Sequence, residues 1–330
     1  MDKFSFKNIV GNENKIERLK KISAEKNFPH AVIFSGAKGI GKRKIAETCA
    51  AVLLCENISD GEPCGECLNC RTFLAGSHPD FLVIEPEESK AAPNIKIGQI
   101  RDLQSAVSLK PVQAERRVVI IDGAEFMNTP AANCLLKTIE EPPGQTIFIL
   151  ITSNRAGLLM TIRSRCMNVN FDKIPDEEIK NFLQIRGIDN AEKISLISEG
   201  SIGRALNLAE FGGYEVREIA LDFIERLCRE EITNEDIFLK GEQFGAGSRE
   251  NFGEFVVYVQ KILRDICLKN FSEPYNSDLR SRLEKIKIPD KRLYRMIDDG
   301  AEIYKRLKSN ANLRLLAESY LMRLKKILMN

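Results

Sequence analysis

The feature that most restricts what this chain can become is the run from Ile33 to Lys44, Ile-Phe-Ser-Gly-Ala-Lys-Gly-Ile-Gly-Lys-Arg-Lys. An apolar strand, Ala31 to Phe34, leads into a turn through Gly36, Gly39 and Gly41, and a helix is expected from Lys44 to Cys55. Strand, glycine turn, lysine and helix are the layout of a phosphate-binding loop, whose backbone N–H groups and lysine surround an anion. The pattern G-x-x-x-x-G-K-[ST] is met by Gly36, Gly41 and Lys42 and broken at position 43, where Arg stands in place of the hydroxyl that holds Mg²⁺. A guanidinium has donors and no acceptor, so Arg43 cannot ligate a cation.

The strands that follow extend the α/β pattern. Phe81-Leu82-Val83-Ile84 reads as a short strand, and Val118-Val119-Ile120-Ile121 as a central parallel strand buried on both faces. Asp122 closes that strand at the end where open α/β sheets place ligands, as the carboxylate that orients Mg²⁺. The next residue is Gly123, which cannot act as a base, and Glu125 is expected to point elsewhere. A helix over Thr129 to Glu141 ends at Pro142-Pro143-Gly144, and Thr146 to Ile151 is the next buried strand. At its end Thr152 is placed either to bond a γ-phosphate or water, or to cap the following turn. Leu158 to Ile162 reads as a short helix and Val169-Asn170-Phe171 as the last strand. Strands alternating with helices over 30–171 give a parallel sheet covered on both sides.

Cys55-x8-Cys64-x2-Cys67-x2-Cys70 is the strongest purely chemical signal. Thiolates bind Zn²⁺ tetrahedrally, short C-x2-C turns place two sulfurs on one ion, and four sulfurs leave no open position, so structural Zn²⁺ is expected. A redox C-x-x-C would need a different βαβ context. Cys49, Cys134, Cys166, Cys228 and Cys267 sit among apolar neighbours and read as core residues, and His30 as a packing or capping residue.

At 330 residues the chain should hold two or three domains. Its 43% hydrophobic and 29% charged residues describe a globular protein, and a net charge of +2 argues against a strongly basic nucleic-acid binder. No apolar run is long enough to span a membrane, and the first residues lack a signal-peptide core, so a cytoplasmic protein is expected. Past Phe171 the pattern turns helical: Pro175-Asp176-Glu177-Glu178 starts a helix, Phe211-Gly212-Gly213 looks like a linker, and Leu313 to Leu328 forms an amphipathic last helix.

Several stretches together carry a resemblance: Phe28-Pro29-His30-Ala31, the four clustered cysteines, Gly76-Ser77-His78-Pro79-Asp80, Ala132 to Pro143, Ile162-Arg163-Ser164-Arg165-Cys166, and Gly200 to Ala205. With them the chain resembles the delta-prime subunits of bacterial DNA polymerase III clamp loaders, within the AAA+ group. The resemblance covers 8–210 well, and the remainder agrees in length and helical character. It implies an α/β AAA+ P-loop sheet domain over 1–171 with a zinc insertion at 55–70, a small helical lid over 172–211, and an all-α C-terminal collar domain over 212–330.

The role it implies is that of a stator in a loader that places a sliding clamp on primed DNA, with gamma/tau and delta types of subunit as partners and no membrane. On that reading Arg165 is an arginine finger acting on a neighbour's ATP, and Arg204 is a lid arginine that normally reads bound nucleotide. Without the resemblance, Arg165 reads as an arginine tied to a local carboxylate. The chain is then part of a DNA-directed DNA polymerase complex, a nucleotidyltransferase, without a polymerase site of its own. Arg43 and Gly123 both count against hydrolysis in its own loop, where Gly36, Gly39, Gly41, Lys42, Asp122, Thr152 and Arg204 would line a degenerate nucleotide site. Binding of ATP with Mg²⁺ there stays open. The alternatives are an active gamma/tau-type ATPase, for which residues 43 and 123 are the discriminators, and a stand-alone zinc-bearing DNA-binding module.

Overall fold

The computed structural model describes residues 4–87, 93–210, 213–268, 276–307 and 311–329. They form two compact units: the first runs to Gly187 and takes in Ser198–Arg204, and the second holds Ile188–Ile197 and the chain from Ala205 onward. The expected linker at Phe211-Gly212 lies outside the described residues, as does most of the expected loop at 86–93.

In the first unit, β1 (Ala31–Ser35), β2 (Phe81–Ile84), β3 (Arg117–Asp122), β4 (Thr146–Thr152) and β5 (Met167–Asn170) make one parallel sheet in the order β2-β3-β4-β1-β5. The three inner strands are almost wholly buried, which is why they read as unbroken apolar runs rather than as alternating ones. Successive side chains along them point to opposite faces. Val32, Phe34, Val118, Ile120, Ile149 and Ile151 pack under α1 (Glu13–Ala24), α2 (Lys42–Leu54) and α3 (Leu68–Leu74). Ile33, Val119, Ile121, Phe148 and Leu150 pack under α4 (Ile97–Ser108), α5 (Thr129–Glu140) and α6 (Met160–Arg163).

Register decides what meets at the carboxyl end of the sheet. Ser35 of β1 lies beside Thr152 of β4, and Ile151 of β4 beside Asp122 of β3. The glycine loop, Thr152 and Asp122 therefore share one rim, the place where such sheets bind ligands. Several boundaries move by a residue or two from their expected positions, two of them beside the glycine loop. α2 starts at Lys42 because Gly41, with φ of 95°, already serves as its N-cap. β5 runs from Met167, and Phe171 falls just beyond it, buried with its ring 5.2 Å from that of Phe34.

α7 (Asp176–Ile185) completes the first unit, with Pro175 as its N-cap and three acids in its first turn, matching the expected start. α8 (Ala191–Ile197) lies in the second unit, and α9 (Ile202–Glu210) passes from the first to the second after Arg204.

Among the described residues the regular structure of the second unit is helical; α8 and most of α9 are followed by α10 (Gly213–Cys228), α11 (Asn234–Ala246), α12 (Arg249–Leu268), α13 (Arg280–Leu283), α14 (Asp290–Arg306) and α15 (Leu313–Met329). α12 packs on α10 and α14, and α15 on α11 and α14. The stripe expected on the last helix is real: Leu316, Ala317, Tyr320, Leu321 and Leu324 are buried. Arg217 is fully buried and is satisfied by Asp278, at 2.5 and 2.9 Å, and by Asn276 at 3.0 Å. Among the described residues no helix is long and apolar enough to cross a membrane.

Candidate functional site

The glycine loop has the backbone a phosphate loop requires, but its cations are engaged by the chain itself. Gly36 has φ of 147°, and a Cβ there would fall 2.5 Å from the carbonyl oxygen of Phe171. Lys42, only 6% exposed, folds back so that its Nζ donates to the carbonyl oxygens of Gly36 and Ala37, both at 2.6 Å. Burial lowers its pKa, while the charges of Glu125 and Asp122 oppose that shift.

Arg43 lies across the place that the motif reserves for a cation. Its Nε donates to Glu47 at 2.6 Å, and its Nη1 to Glu85 at 2.6 Å and to Asp122 at 3.0 Å. The carboxylate that would orient a metal is thus paired with a guanidinium.

The turn that begins α9 closes onto the loop. Ser201 Oγ donates to the Lys38 carbonyl at 3.0 Å, and the Gly203 N–H donates to the Gly39 carbonyl at 2.8 Å. This approach requires glycine at 39, since a Cβ there would lie 2.4 Å from Ser201 Oγ. Arg204 does not stand free over the loop: its Nη1 pairs with Glu199 at 3.0 Å. Of the two roles open to Thr152, its buried hydroxyl is in the capping one, accepting the Asn154 N–H at 3.0 Å.

Glu125 departs from its expectation. The short turn after Gly123 brings it back to the rim, where it accepts from the Ser153 N–H at 2.9 Å and from Ser153 Oγ at 2.5 Å. Burial would raise its pKa, but these donors hold it below the ordinary value. Its charge is the first that acts on Lys42.

Arg165 belongs to the turn between α6 and β5, on the side of the sheet covered by α4 and α5. Its side chain is 39% exposed, and its Nε pairs with Glu140 at 2.7 Å. Nη1 donates to the Thr161 carbonyl at 3.0 Å. The local ion pair is therefore present, and the side chain still faces solvent.

The four clustered cysteines come together as their spacing predicts. Cys55 caps the C-terminus of α2, Cys67 caps the N-terminus of α3, and the four Sγ atoms lie within 4.8 Å of one another. Four sulfurs about 2.3 Å from a central ion would be roughly 3.8 Å apart in a tetrahedron, and Cys64 and Cys70 are separated by 3.9 Å. Backbone N–H groups of Cys64, Cys67 and Cys70 point at sulfurs at 3.3 to 3.4 Å, as they do toward thiolates. The donor set fits a metal ion with four thiolate ligands. Cys49 and Cys166 are buried, whereas Cys134, Cys228 and Cys267 are only half-buried.

The residues whose place at these sites sequence reasoning missed, or in the case of Glu125 put elsewhere, are mostly acceptors: Glu47, Glu85, Glu125, Glu140 and Glu199. Only Glu47 carries a local signal, being four residues from Arg43 on one helix. Glu85 and Asp122 share Arg43 because they follow β2 and close β3, neighbours in parallel register, which no local pattern announces.

The family described as DNA polymerase III, delta subunit, matches residues 11–175, half of the chain. The DNA polymerase III subunit delta' of Pseudomonas aeruginosa is 37% identical over 62% of this chain and 62% of its own length. The DNA polymerase III subunit tau of Bacillus subtilis is 32% identical over 88% of this chain and 48% of its own. The chain spans less than two thirds of the length of either relative. Among solved structures, a DNA polymerase III gamma subunit-related protein of Thermotoga maritima superposes with a TM-score of 0.51 at 19% identity, covering 94% of this chain and 99% of that one, a likeness of fold alone.

Proposed function

Because the chain belongs to the DNA polymerase III delta subunit family, as its motifs led one to expect, we propose that it is the delta-prime-type subunit of a clamp loader. Its fold is that of the AAA+ group. On this reading it is a stator: it helps place the sliding clamp on primed DNA and lends Arg165 to ATP held by a neighbouring gamma/tau-type subunit. Its partners are the gamma/tau and delta types of subunit and the clamp, with primed DNA met through the complex, in the cytoplasm. On this reading the short helices within 172–211 act as the lid and the helices of 212–330 as the collar.

One observation carries this reading. Lys42, Arg43 and Arg204 are all engaged inside the chain's own loop region, whereas Arg165 is held at a surface turn. An exposed guanidinium can stabilise charge on a phosphoryl group bound by another subunit, and such a finger is worth ~10³-fold or more in rate. The chain's own loop lacks both the hydroxyl at 43 and a carboxylate at 123, so the isolated chain should turn over no ATP. The four thiolates hold structural Zn²⁺.

The test is ATP turnover by a complex rebuilt from this chain with gamma/tau-type and delta-type subunits. Arg165→Ala should lower turnover by about 10³-fold without changing subunit assembly. Normal turnover and clamp loading in that complex would sink the finger assignment. The similarity to tau subunits over most of the chain favours a second reading, an active ATPase, and measurable turnover by the isolated chain would establish it.

A further inference from the structure

We propose that Glu140 is the positioning residue of the arginine finger, holding Arg165 by its inner edge so that its outer edge is presented to a neighbour's phosphate. The inference rests on the finger reading above and adds a second residue to it.

A guanidinium has five N–H donors in a rigid planar fork. In Arg165 two of the three nitrogens have partners: Nε forms an ion pair with Glu140 Oε1 at 2.7 Å, and Nη1 donates to the Thr161 carbonyl at 3.0 Å and more loosely to Ser164 Oγ at 3.4 Å. Among the described residues Nη2 meets no acceptor. The carboxylate therefore grips the stem side of the group without capturing the fork. A carboxylate that sequestered the arginine would take two parallel N–H groups, the bidentate arrangement that Arg and carboxylates favour. Here Nη2 donates no hydrogen bond within the described residues and stays available to a phosphate.

The place of Glu140 in the chain supports a role beyond helix stability. It is the last residue of α5, and Glu141 follows it. A helix C-terminus carries partial negative charge and favours cations, so local physics would place Lys or Arg there rather than two acids. The pair is also poorly suited to holding the fold together. Its members are 39% and 44% exposed, and ion pairs of that exposure add little to stability. What the contact does accomplish is to restrict a long, rotamer-rich side chain to one orientation before the neighbour arrives. Orientation gained beforehand appears as rate, because it need not be gained again in the transition state.

The experiment uses the rebuilt complex with Glu140→Ala, Glu140→Gln, Arg165→Ala and the double variant. Glu140→Ala should lower kcat for ATP by about ten-fold with KM unchanged, and the melting temperature of the isolated chain should not move. Glu140→Gln keeps an acceptor for Nε and should retain most of the rate. The double variant should be no slower than Arg165→Ala alone, because the two residues act as one unit. If Arg165→Ala collapses turnover while Glu140→Ala leaves it unchanged or faster, the positioning role is wrong. Should Arg165→Ala itself have no effect, the finger reading fails first and this inference fails with it. A raised KM or a lowered melting temperature in Glu140→Ala would make the residue structural and also overturn the proposal.

Discussion

The two faces of the sheet carry cations of the same kind in opposite arrangements. Under α1 to α3, Lys42 and Arg43 are closed off by two carbonyl oxygens and three carboxylates, and the α9 turn lies on the loop between them and β1. On the side of α4 to α6, Arg165 has a single carboxylate partner and faces solvent. A phosphate reaching the loop would have to displace several interactions within the chain, whereas one reaching Arg165 need displace none. The difference lies in the number of internal acceptors around each cation, and on the loop's face also in the arginine at position 43 that three carboxylates hold. A loop motif on one face thus records where a ligand site is laid out in the fold, and the acceptors around it decide whether its cations are free to serve one.

The largest effect that would test this separation comes from the metal. Structural Zn²⁺ sites with four thiolates are worth about 10 kcal/mol or more of binding free energy, and the cysteine cluster proposed to hold one joins the end of α2 to the start of α3 on the loop's face. Elemental analysis should find about one Zn²⁺ per chain. Chelation should make the amides of 56–70 exchange rapidly while those of α5 and of 163–166 stay protected. Equal loosening of α5 would show that the two faces are not independent.

A smaller effect should strike both faces at once. Asp80, at 0% exposure, accepts from the N–H groups of Val112, Gln113 and Ala114 at 2.8, 2.7 and 2.9 Å, and from Arg117 Nη2 at 3.2 Å. Arg117 in turn holds the end of α4 through the carbonyls of Ala106 and Leu109. On the other side, the Asp80 N–H donates to His78, whose second ring nitrogen bonds Asn69 of α3. The pair therefore ties α3 to α4 through one edge of the sheet.

Removing one partner of such a buried pair costs about 3 kcal/mol or more, so Asp80→Asn should lower the chain's stability by that amount and loosen α3 and α4 together. Burial would raise the Asp80 pKa, but its four donors hold it below the ordinary value. Its contribution to stability is therefore complete above the unfolded carboxyl pKa of about 3.9. It is lost as pH falls through the lower, folded pKa. Denaturant titrations should show a constant gap between the two proteins above about pH 5 that narrows only in stronger acid. A gap that instead narrows on going up from pH 5 to 8 would contradict the assignment.

How much of this was legible depends on the range over which each interaction acts. The inner strands announce themselves because burial on both faces leaves no room for polar residues, as in Val118 to Ile121. The cysteine cluster is equally plain, since its ligands are held by turns of a few residues. Gly36 and Gly39 are legible as loop glycines, but the atoms that require them, the Phe171 carbonyl and Ser201 Oγ, come from 135 and 162 positions away and are visible only in the fold. The pairing of Arg43 with Asp122 spans 79 residues and follows from strand order, not from either segment. Glu125 was misjudged for a related reason: counting residues past Asp122 ignores the tight turn that Gly123, with φ of 71°, allows. Arg165 could be named from its motif, but its carboxylate partner at the end of α5 could not.

The smallest and most discriminating change is Arg43→Thr. Arg43 is 31% exposed and its partners Glu47, Glu85 and Asp122 are 25%, 59% and 32% exposed, so loss of these pairs should cost only about 1 kcal/mol of stability. The chemical consequence is larger than the energetic one. Threonine restores the hydroxyl that the loop pattern specifies at that position, and it releases Asp122 to face a cation. If Arg43 is what closes this face, the variant should bind ATP more tightly than the parent chain, and only when Mg²⁺ is present. Equilibrium titration with and without Mg²⁺ would measure it. Turnover should remain absent, because Gly123 still offers no carboxylate to activate water. An affinity that does not change would place the closure in the α9 turn instead, where Ser201 and Gly203 bond the carbonyls of Lys38 and Gly39. Ser201→Ala, which removes one of those two bonds without touching any charge, would then be the variant that opens the loop.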